Sequence, residues 1–224
     1  MKVIMAKNEV SITVIRRLPI YYRYLGELLD KGVNRISSQE LSNLTGYTAS
    51  QIIQDLNNFG GFGQQGYGYN VEELYNELGK ILGLDREYNV VITGAGNLGH
   101  AIYYYRGFKR AGFNIIGVFD INPDNTRHAK RNMDVRPLDE LEDFIKENKV
   151  EIGIITTSKE IAQEVADIYV RAGVKAIWNF ATIDLIVPED VTLESVRLSE
   201  SLFTLSYFLK RNEGLKKEAE EKKN

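Results

Sequence analysis

The chain contains no cysteine, only two histidines and one tryptophan, and four prolines among 224 residues. Without cysteine, a disulfide scaffold, a thiolate metal centre and a sulfur-based redox switch are all excluded, and no metal site is expected. Any redox response must then pass through a bound cofactor. No apolar run approaches the length of a membrane span, and the segment Met1 to Lys7 lacks the apolar core of an export signal. A soluble, cytoplasmic protein is expected. Charge of one sign is missing too: 28 basic and 31 acidic residues leave a net charge of −3, which gives no support to a strongly basic nucleic-acid surface. What the chain does have is 43% hydrophobic residues, enough for the cores of two small domains.

From Ile12 to Leu29 the residues Val14, Ile15, Leu18, Tyr21, Tyr22, Leu25, Leu28 and Leu29 recur at three and four, the spacing of one helix face. Pro19 interrupts this run, so the helix proper is expected to start there. Ser37 with Glu40 and Thr48 with Gln51 form two capping-box patterns, predicting a helix around Glu40 to Leu44, ended by Gly46, and a second reaching about Asn58. Two short helices across a glycine turn, after a longer one, make a helix-turn-helix. The glycines and aromatics from Gly60 to Tyr69 suit a tight hairpin, hence a winged form. The same pattern also fits a three-helix module used only for dimer contacts.

Val71 to Leu82 reads as one more amphipathic helix, and from Tyr88 strands and helices alternate. Strand-like runs occur at Asn89–Thr93, Asn114–Phe119, Glu151–Thr156, Lys175–Asn179 and Thr192–Val196, with helical patterns at Leu98–Ala111, Leu138–Asn148 and Lys159–Ala172. This is the grammar of a Rossmann-type, doubly wound parallel sheet. The expected domains are 1–84 (winged helix-turn-helix), 85–198 (Rossmann) and 199–224 (C-terminal dimerisation helix and tail). The stretch Leu202 to Leu209 is apolar nearly all round and needs a cover, which at a chain terminus points to a second subunit. The mixed charges from Lys216 to Lys223 read as a solvated helix end.

Gly94-Ala95-Gly96-Asn97-Leu98-Gly99 fits G-x-G-x-x-G directly after the strand Val90 to Thr93 and at the opening of a helix. Gly94 allows the tight turn, Gly96 the approach of a pyrophosphate, and Gly99 the close packing of helix on sheet, while the helix start offers N–H groups to the anion. Asp120 follows 21 residues after Gly99, at the end of the second strand, where a carboxylate takes ribose hydroxyls and favours NAD over NADP. Arg127 and His128 lie nearby and read as solvent-facing loop residues. A dehydrogenase would need a proton carrier beside the nicotinamide and room for a substrate domain. His100 and His128 are poorly placed for that work, and the 137 residues from Tyr88 onward suffice only for the nucleotide domain. A ligand-sensing regulator therefore ranks above an enzyme.

The order of helix-turn-helix, glycine-rich wing, NAD-type Rossmann domain and apolar final helix resembles the Rex family of redox-sensing transcriptional repressors. Four stretches carry the resemblance: Arg17 to Arg23; Phe59 to Val71; Gly94 to Gly99 with Tyr105, Gly107 and Phe108; and Asn179 to Ala181. It implies a homodimer in which each C-terminal helix crosses to the partner, operator DNA held as an inverted repeat, and release of that DNA by NADH. It also implies NAD(H) contacts at Tyr105, Thr157 and Asn179, besides Ala95, Asn97 and Leu98 of the loop. DNA would be met by Arg16, Arg17 and Arg23, by Ser50, Gln51, Gln54 and Asn57 of the reading helix, and by Gln64 and Tyr67 of the wing.

Several positions depart from the family pattern. Ile53 and Gln54 stand where the reading helix usually has basic residues, Gln64 where the wing has lysine, Arg197 where an aspartate precedes the last helix, and Ser158 where a proline follows the fourth strand. Over residues 12–70 the basic residues are Arg16, Arg17, Arg23, Lys31 and Arg35, against Glu27, Asp30, Glu40 and Asp55, which leaves one net positive charge. Two alternatives therefore stay open beside the repressor: a Rex-like NAD(H)-binding protein acting through protein partners, and an NAD-dependent oxidoreductase.

Overall fold

The computed structural model describes residues 10–64, 67–123 and 133–221. It divides into two units, Met1–Arg86 and Glu87–Asn224, each with its own hydrophobic core. In the first unit α1 spans Ile12–Asp30 without a break, so the expected start at Pro19 is corrected to Ile12. Ser11 caps the helix by accepting from the Thr13 N–H, and Pro19 lies in its interior. Proline there removes one helical hydrogen bond. Complete burial of Leu18, Tyr21 and Leu25 on the inner face outweighs that loss.

Both capping boxes form. Ser37 and Glu40 exchange bonds at the start of α2 (Ser38–Thr45), and Thr48 and Gln51 do so at the start of α3 (Ala49–Asn57). Gly46, at φ +77, ends α2 in the left-handed conformation that glycine adopts most readily. The strands β1 (Arg35–Ile36), β2 (Gly63–Gln64) and β3 (Gly68–Asn70) make a small antiparallel sheet in the order β1-β3-β2, and α4 (Val71–Ile81) follows. Leu41, Ile52, Leu56, Tyr69 and Leu74 bring α2, α3, the hairpin and α4 onto the core face of α1.

The second unit holds β4 (Tyr88–Thr93), β5 (Phe113–Asp120), β6 (Val135–Pro137), β7 (Ile152–Ile155), β8 (Ala176–Asn179) and β9 (Thr192–Ser195). They form one sheet in the order β6-β5-β4-β7-β8-β9, with every pair parallel. The strand order reverses beside β4, the topology of a dinucleotide-type Rossmann sheet. Two sequence expectations shift. The run from Leu98 to Ala111 is two helices, α5 (Asn97–Tyr103) and α6 (Arg106–Arg110), because Tyr105 leaves helical geometry at ψ 99. Tyr103 packs toward the core while Tyr105 turns out to pair with Phe108. The strand β6 was not expected, since three residues ending in proline carry no periodicity.

A 3-10 turn at Leu138–Glu140 leads into α7 (Leu141–Asn148), and α8 spans Lys159–Ala172. Phe144, Ile145, Val165 and Tyr169 of these helices bury one sheet face. Ile102 of α5 covers part of the other with Val90, Ile92 and Ile154. The long helix α9 (Leu198–Glu221) ends the unit, and residues 198–214 are exposed throughout. No described helix is long and apolar enough to cross a membrane.

A buried charge ties α3 to α1. The Asp55 carboxylate, 2% exposed, accepts two bonds of 2.6 Å from Arg17 Nε and Nη2 and one of 2.7 Å from the Tyr21 hydroxyl. The Arg17 side chain is itself only 15% exposed. Desolvation and the neighbouring carboxylate push the Tyr21 phenol well above its usual range, so it stays a neutral donor. Removing the acid strands the guanidinium and the hydroxyl without a partner. Asp55→Ala is expected to cost about 3–5 kcal/mol, measured as a lowered urea midpoint at constant m-value.

Candidate dinucleotide and DNA sites

The glycine loop sits at the switch point of the sheet, between the C-terminal ends of β4 and β7. Gly94 has φ +105, and a Cβ there would lie 2.7 Å from the Thr156 carbonyl carbon. A Cβ on Gly99 would come within 2.0 Å of the Gly94 carbonyl oxygen, so the first turn of α5 presses directly on the loop. Thr156 locks the arrangement, donating its hydroxyl to Gly94 O at 2.7 Å and its N–H to Thr93 O at 2.8 Å. A Cβ at Gly96 would meet nothing within 4 Å. Two glycines are thus required by packing and the third borders open space, the division of labour that a bound pyrophosphate needs.

Around this cradle stand Ala95, Asn97 and Leu98 of the loop and Asp120 at the end of β5. Asp120 accepts from the Ala95 N–H at 2.7 Å and from the Asn122 N–H at 2.8 Å, one bond on each oxygen. Each carboxylate oxygen has a further lone pair for a ribose hydroxyl. Thr157, just past β7, has a buried Oγ1 with no partner among the described residues, as does His100 Nε2 on α5. Thr157 directly follows Thr156, whose hydroxyl holds Gly94, and an orphaned hydroxyl at that point of the chain fits a polar ligand at the switch point. Ile121, next to Asp120, is 54% exposed, which periodicity could not flag because it follows from the way the fold ends β5.

Two predicted contacts are placed differently. Asn179 is 0% exposed, and its amide is committed to Ala181, Ile183 and Ser195. It shapes the loop after β8 instead of presenting its side chain to a ligand. Tyr105 lies beyond the far end of α5, roughly 10 Å along the helix from the loop at 1.5 Å per residue, and is 61% exposed. Arg197 donates to Ala181 O at 2.7 Å and to Asp184 at 2.6 Å, securing the same loop as Asn179. Ser158 is the N-cap position of α8. Arg127 and His128 lie outside the described residues.

In the first unit the exposed face of α3 carries Ser50, Gln51, Ile53, Gln54 and Asn57. Gln51 lends its Oε1 to the Thr48 N–H and hydroxyl, so part of its amide serves the cap. Arg17 is corrected from phosphate anchor to structural ion pair, since the buried Asp55 holds it through a bidentate contact. Arg16 and Arg23 are exposed on α1, Arg23 with Glu27 at 3.0 Å and over the Tyr24 ring at 4.2 Å. Arg35 donates to Tyr67 O at 3.4 Å, beside the Tyr67 ring, itself 70% exposed, and Gln64 lies on β2. Among the described residues no cluster of three or more His, Asp or Glu could hold a metal ion.

A dinucleotide-type Rossmann unit joined to a winged helix-turn-helix unit defines the class of ligand-responsive DNA-binding regulators. The comparisons agree with that class. A model described as CoA binding domain matches residues 85–183, and one described as putative DNA-binding protein N-terminus matches residues 9–57. The redox-sensing transcriptional repressor Rex of Thermoanaerobacter pseudethanolicus is 62% identical over 211 residues, 94% of each chain. The Clostridioides difficile Rex is 58% identical over 206 residues, 92% of this chain and 98% of that one. Among solved structures, RSP in complex with beta-NAD+ and operator DNA has a TM-score of 0.85 at 62% identity, covering 94% of this chain and 97% of that chain. RSP in complex with beta-NADH has a TM-score of 0.84 at 59% identity, covering 94% and 99%. The chain belongs to the Rex family of redox-sensing transcriptional repressors.

Asp120→Ala removes a charge-assisted acceptor worth about 1.5–3 kcal/mol, so a roughly 10- to 150-fold weaker NADH dissociation constant is expected. Calorimetric titration of both proteins decides it. An unchanged constant would leave Asp120 as a brace for the loop alone.

Proposed function

We propose that this chain is an NAD(H)-responsive transcriptional repressor that holds operator DNA as a homodimer in the cytoplasm and lets it go when NADH binds. The observation that carries the reading is the pairing, in one chain, of the glycine cradle with the orphaned Thr157 hydroxyl that follows Thr156, and of two short helices, each with its own capping box, with a wing. Similarity to RSP, crystallised with beta-NAD+ and operator DNA, supports the same ligands here. The pyrophosphate would lie over Gly96 and the start of α5, with the ribose on Asp120 and Ile121 beside the adenine. When bound, NAD(H) supplies the redox difference being sensed. The protein's part is to hold it and respond. Among the described residues His100 is the single histidine, and none of them orients its buried Nε2 as a proton carrier, which favours a regulator over an oxidoreductase.

Dimerisation is supported by two exposed apolar surfaces of the second unit. One is the α9 stretch, where Leu202, Phe203, Leu205, Tyr207 and Leu209 are each more than 60% exposed. The other is a groove of about 320 Å³ on the sheet, lined by Val90, Phe108, Ile152, Ile154 and Trp178 among others. Surfaces of this kind rarely stay bare on a monomer, and a two-fold arrangement covers the helices of both copies at once. Truncation before Ser199 is expected to abolish the dimer, read by sizing with light scattering. A well-behaved dimer without α9 would place the interface elsewhere.

The repressor reading is tested by selection from random duplexes and anisotropy titration of the full chain at two salt concentrations, with NAD+ and with NADH. An enriched inverted repeat, weakened by NADH, is the expected result. With Arg17 committed to Asp55, the phosphate anchors per protomer are Arg16, Arg23 and Arg35. Six such contacts in a dimer predict a salt slope of only about −5. No enriched repeat would overturn the reading in favour of a partner-binding protein.

A further inference from the structure

Burial sorts the residues of α3 into two faces. Ile52, Asp55 and Leu56 point into the core, 0–2% exposed, while Ser50, Ile53, Gln54 and Asn57 recur at three and four along the outer face. Three of those four are polar. Ile53 stands in the middle of the stripe at 41% exposure, on the lip of a cleft of about 560 Å³ that Asn57 shares with Phe62 and Gly63 of the wing segment. The fold has no use for an apolar group there, since Ile52 and Leu56 already fill the core beneath it.

We propose that Ile53 is a specificity-determining residue that receives the 5-methyl group of a thymine in the major groove. The proposal rests on the repressor reading and adds to it the base that this position selects. Thymine is the one base with an alkyl group on its major-groove edge, whereas guanine and cytosine present only polar atoms. An isoleucine in a helix is held almost entirely in one χ1 rotamer, so it offers a fixed apolar surface at small entropic cost. Its neighbours agree in chemistry: Gln54 and Asn57 carry amides suited to the N6 and N7 edge of adenine, thymine's pairing partner. The exposed face of α3, with no arginine or lysine on it, is therefore built for A·T pairs.

The test uses the full chain and its selected operator, with deoxyuridine replacing thymine one position at a time, which deletes the methyl group and nothing else. Anisotropy titration of the wild type is expected to show, at one thymine in each half-site, about a fourfold loss per methyl, the factor that about 0.8 kcal/mol of buried carbon gives. Ile53→Ala is expected to bind the thymine and deoxyuridine operators equally, and Ile53→Val, which keeps a branched surface, to retain part of the preference. At an exposed helix position alanine supports folding, checked by an unchanged thermal midpoint. The inference is overturned if no single deoxyuridine weakens the wild type, or if Ile53→Ala keeps the full penalty. A wild type that binds no operator at all defeats the repressor reading itself, a result distinct from binding that ignores the methyl group.

Discussion

The nucleotide-binding unit is organised around one contact, the approach of Gly99 to the carbonyl oxygen of Gly94. A Cβ on Gly99 would sit 2.0 Å from that oxygen, so only glycine lets α5 begin where it does. The remaining features follow from it. The Thr156 hydroxyl can reach the Gly94 carbonyl, tying β7 to the loop, and the Ala95 N–H can reach Asp120, tying β5 to it. Three neighbouring parallel strands thereby converge on one turn, with Gly96 left facing space. A helix displaced by even one methyl group would break these bonds and close the cradle.

The DNA-reading unit depends on a different device, a buried ion pair. Asp55 lies on the inner face of α3 and is met by Arg17 and Tyr21 of α1. Burying a carboxylate is expensive, and three short charge-assisted bonds are what make it tolerable. In return the reading helix has a fixed roll about its axis. If α3 rotated, Asp55 would lose its partners and Ser50, Ile53, Gln54 and Asn57 would leave the outer face together. The cost falls on electrostatics: one of the five basic side chains in residues 12–70 is taken up by an internal carboxylate. α3 itself carries no lysine or arginine.

At the other end of the chain the loop after β8 shows a comparable use of polar groups. Asn179 and Arg197 both bond to Ala181, from β8 and from the foot of α9, and Arg197 also holds Asp184. The origin of the long exposed helix is therefore pinned to the sheet of its own protomer, while its apolar surface remains uncovered. A helix fixed at its base and bare along its length is suited to packing on a second copy.

Local chemistry was legible in the sequence wherever it depended on neighbours in the chain. The capping boxes at Ser37 and Thr48, the glycine loop after β4, Asp120 closing β5 and the strand-helix alternation are all set by spacings of a few residues. The apolar run Leu202 to Leu209 likewise announced itself as a surface in need of a cover. Tertiary structure decided what spacing could not reach. Pro19 lies inside α1 because packing of Leu18, Tyr21 and Leu25 outweighs one lost hydrogen bond. Arg17 is an ion-pair partner because folding brings a carboxylate 38 residues away into its reach. Asn179 turns inward because the loop after β8 offers it two carbonyls, and Ile53 proves exposed because the roll of α3 is fixed by Asp55. Propensity and periodicity act along the chain; burial and charge pairing act across it, and only the folded molecule shows which partner a side chain finds.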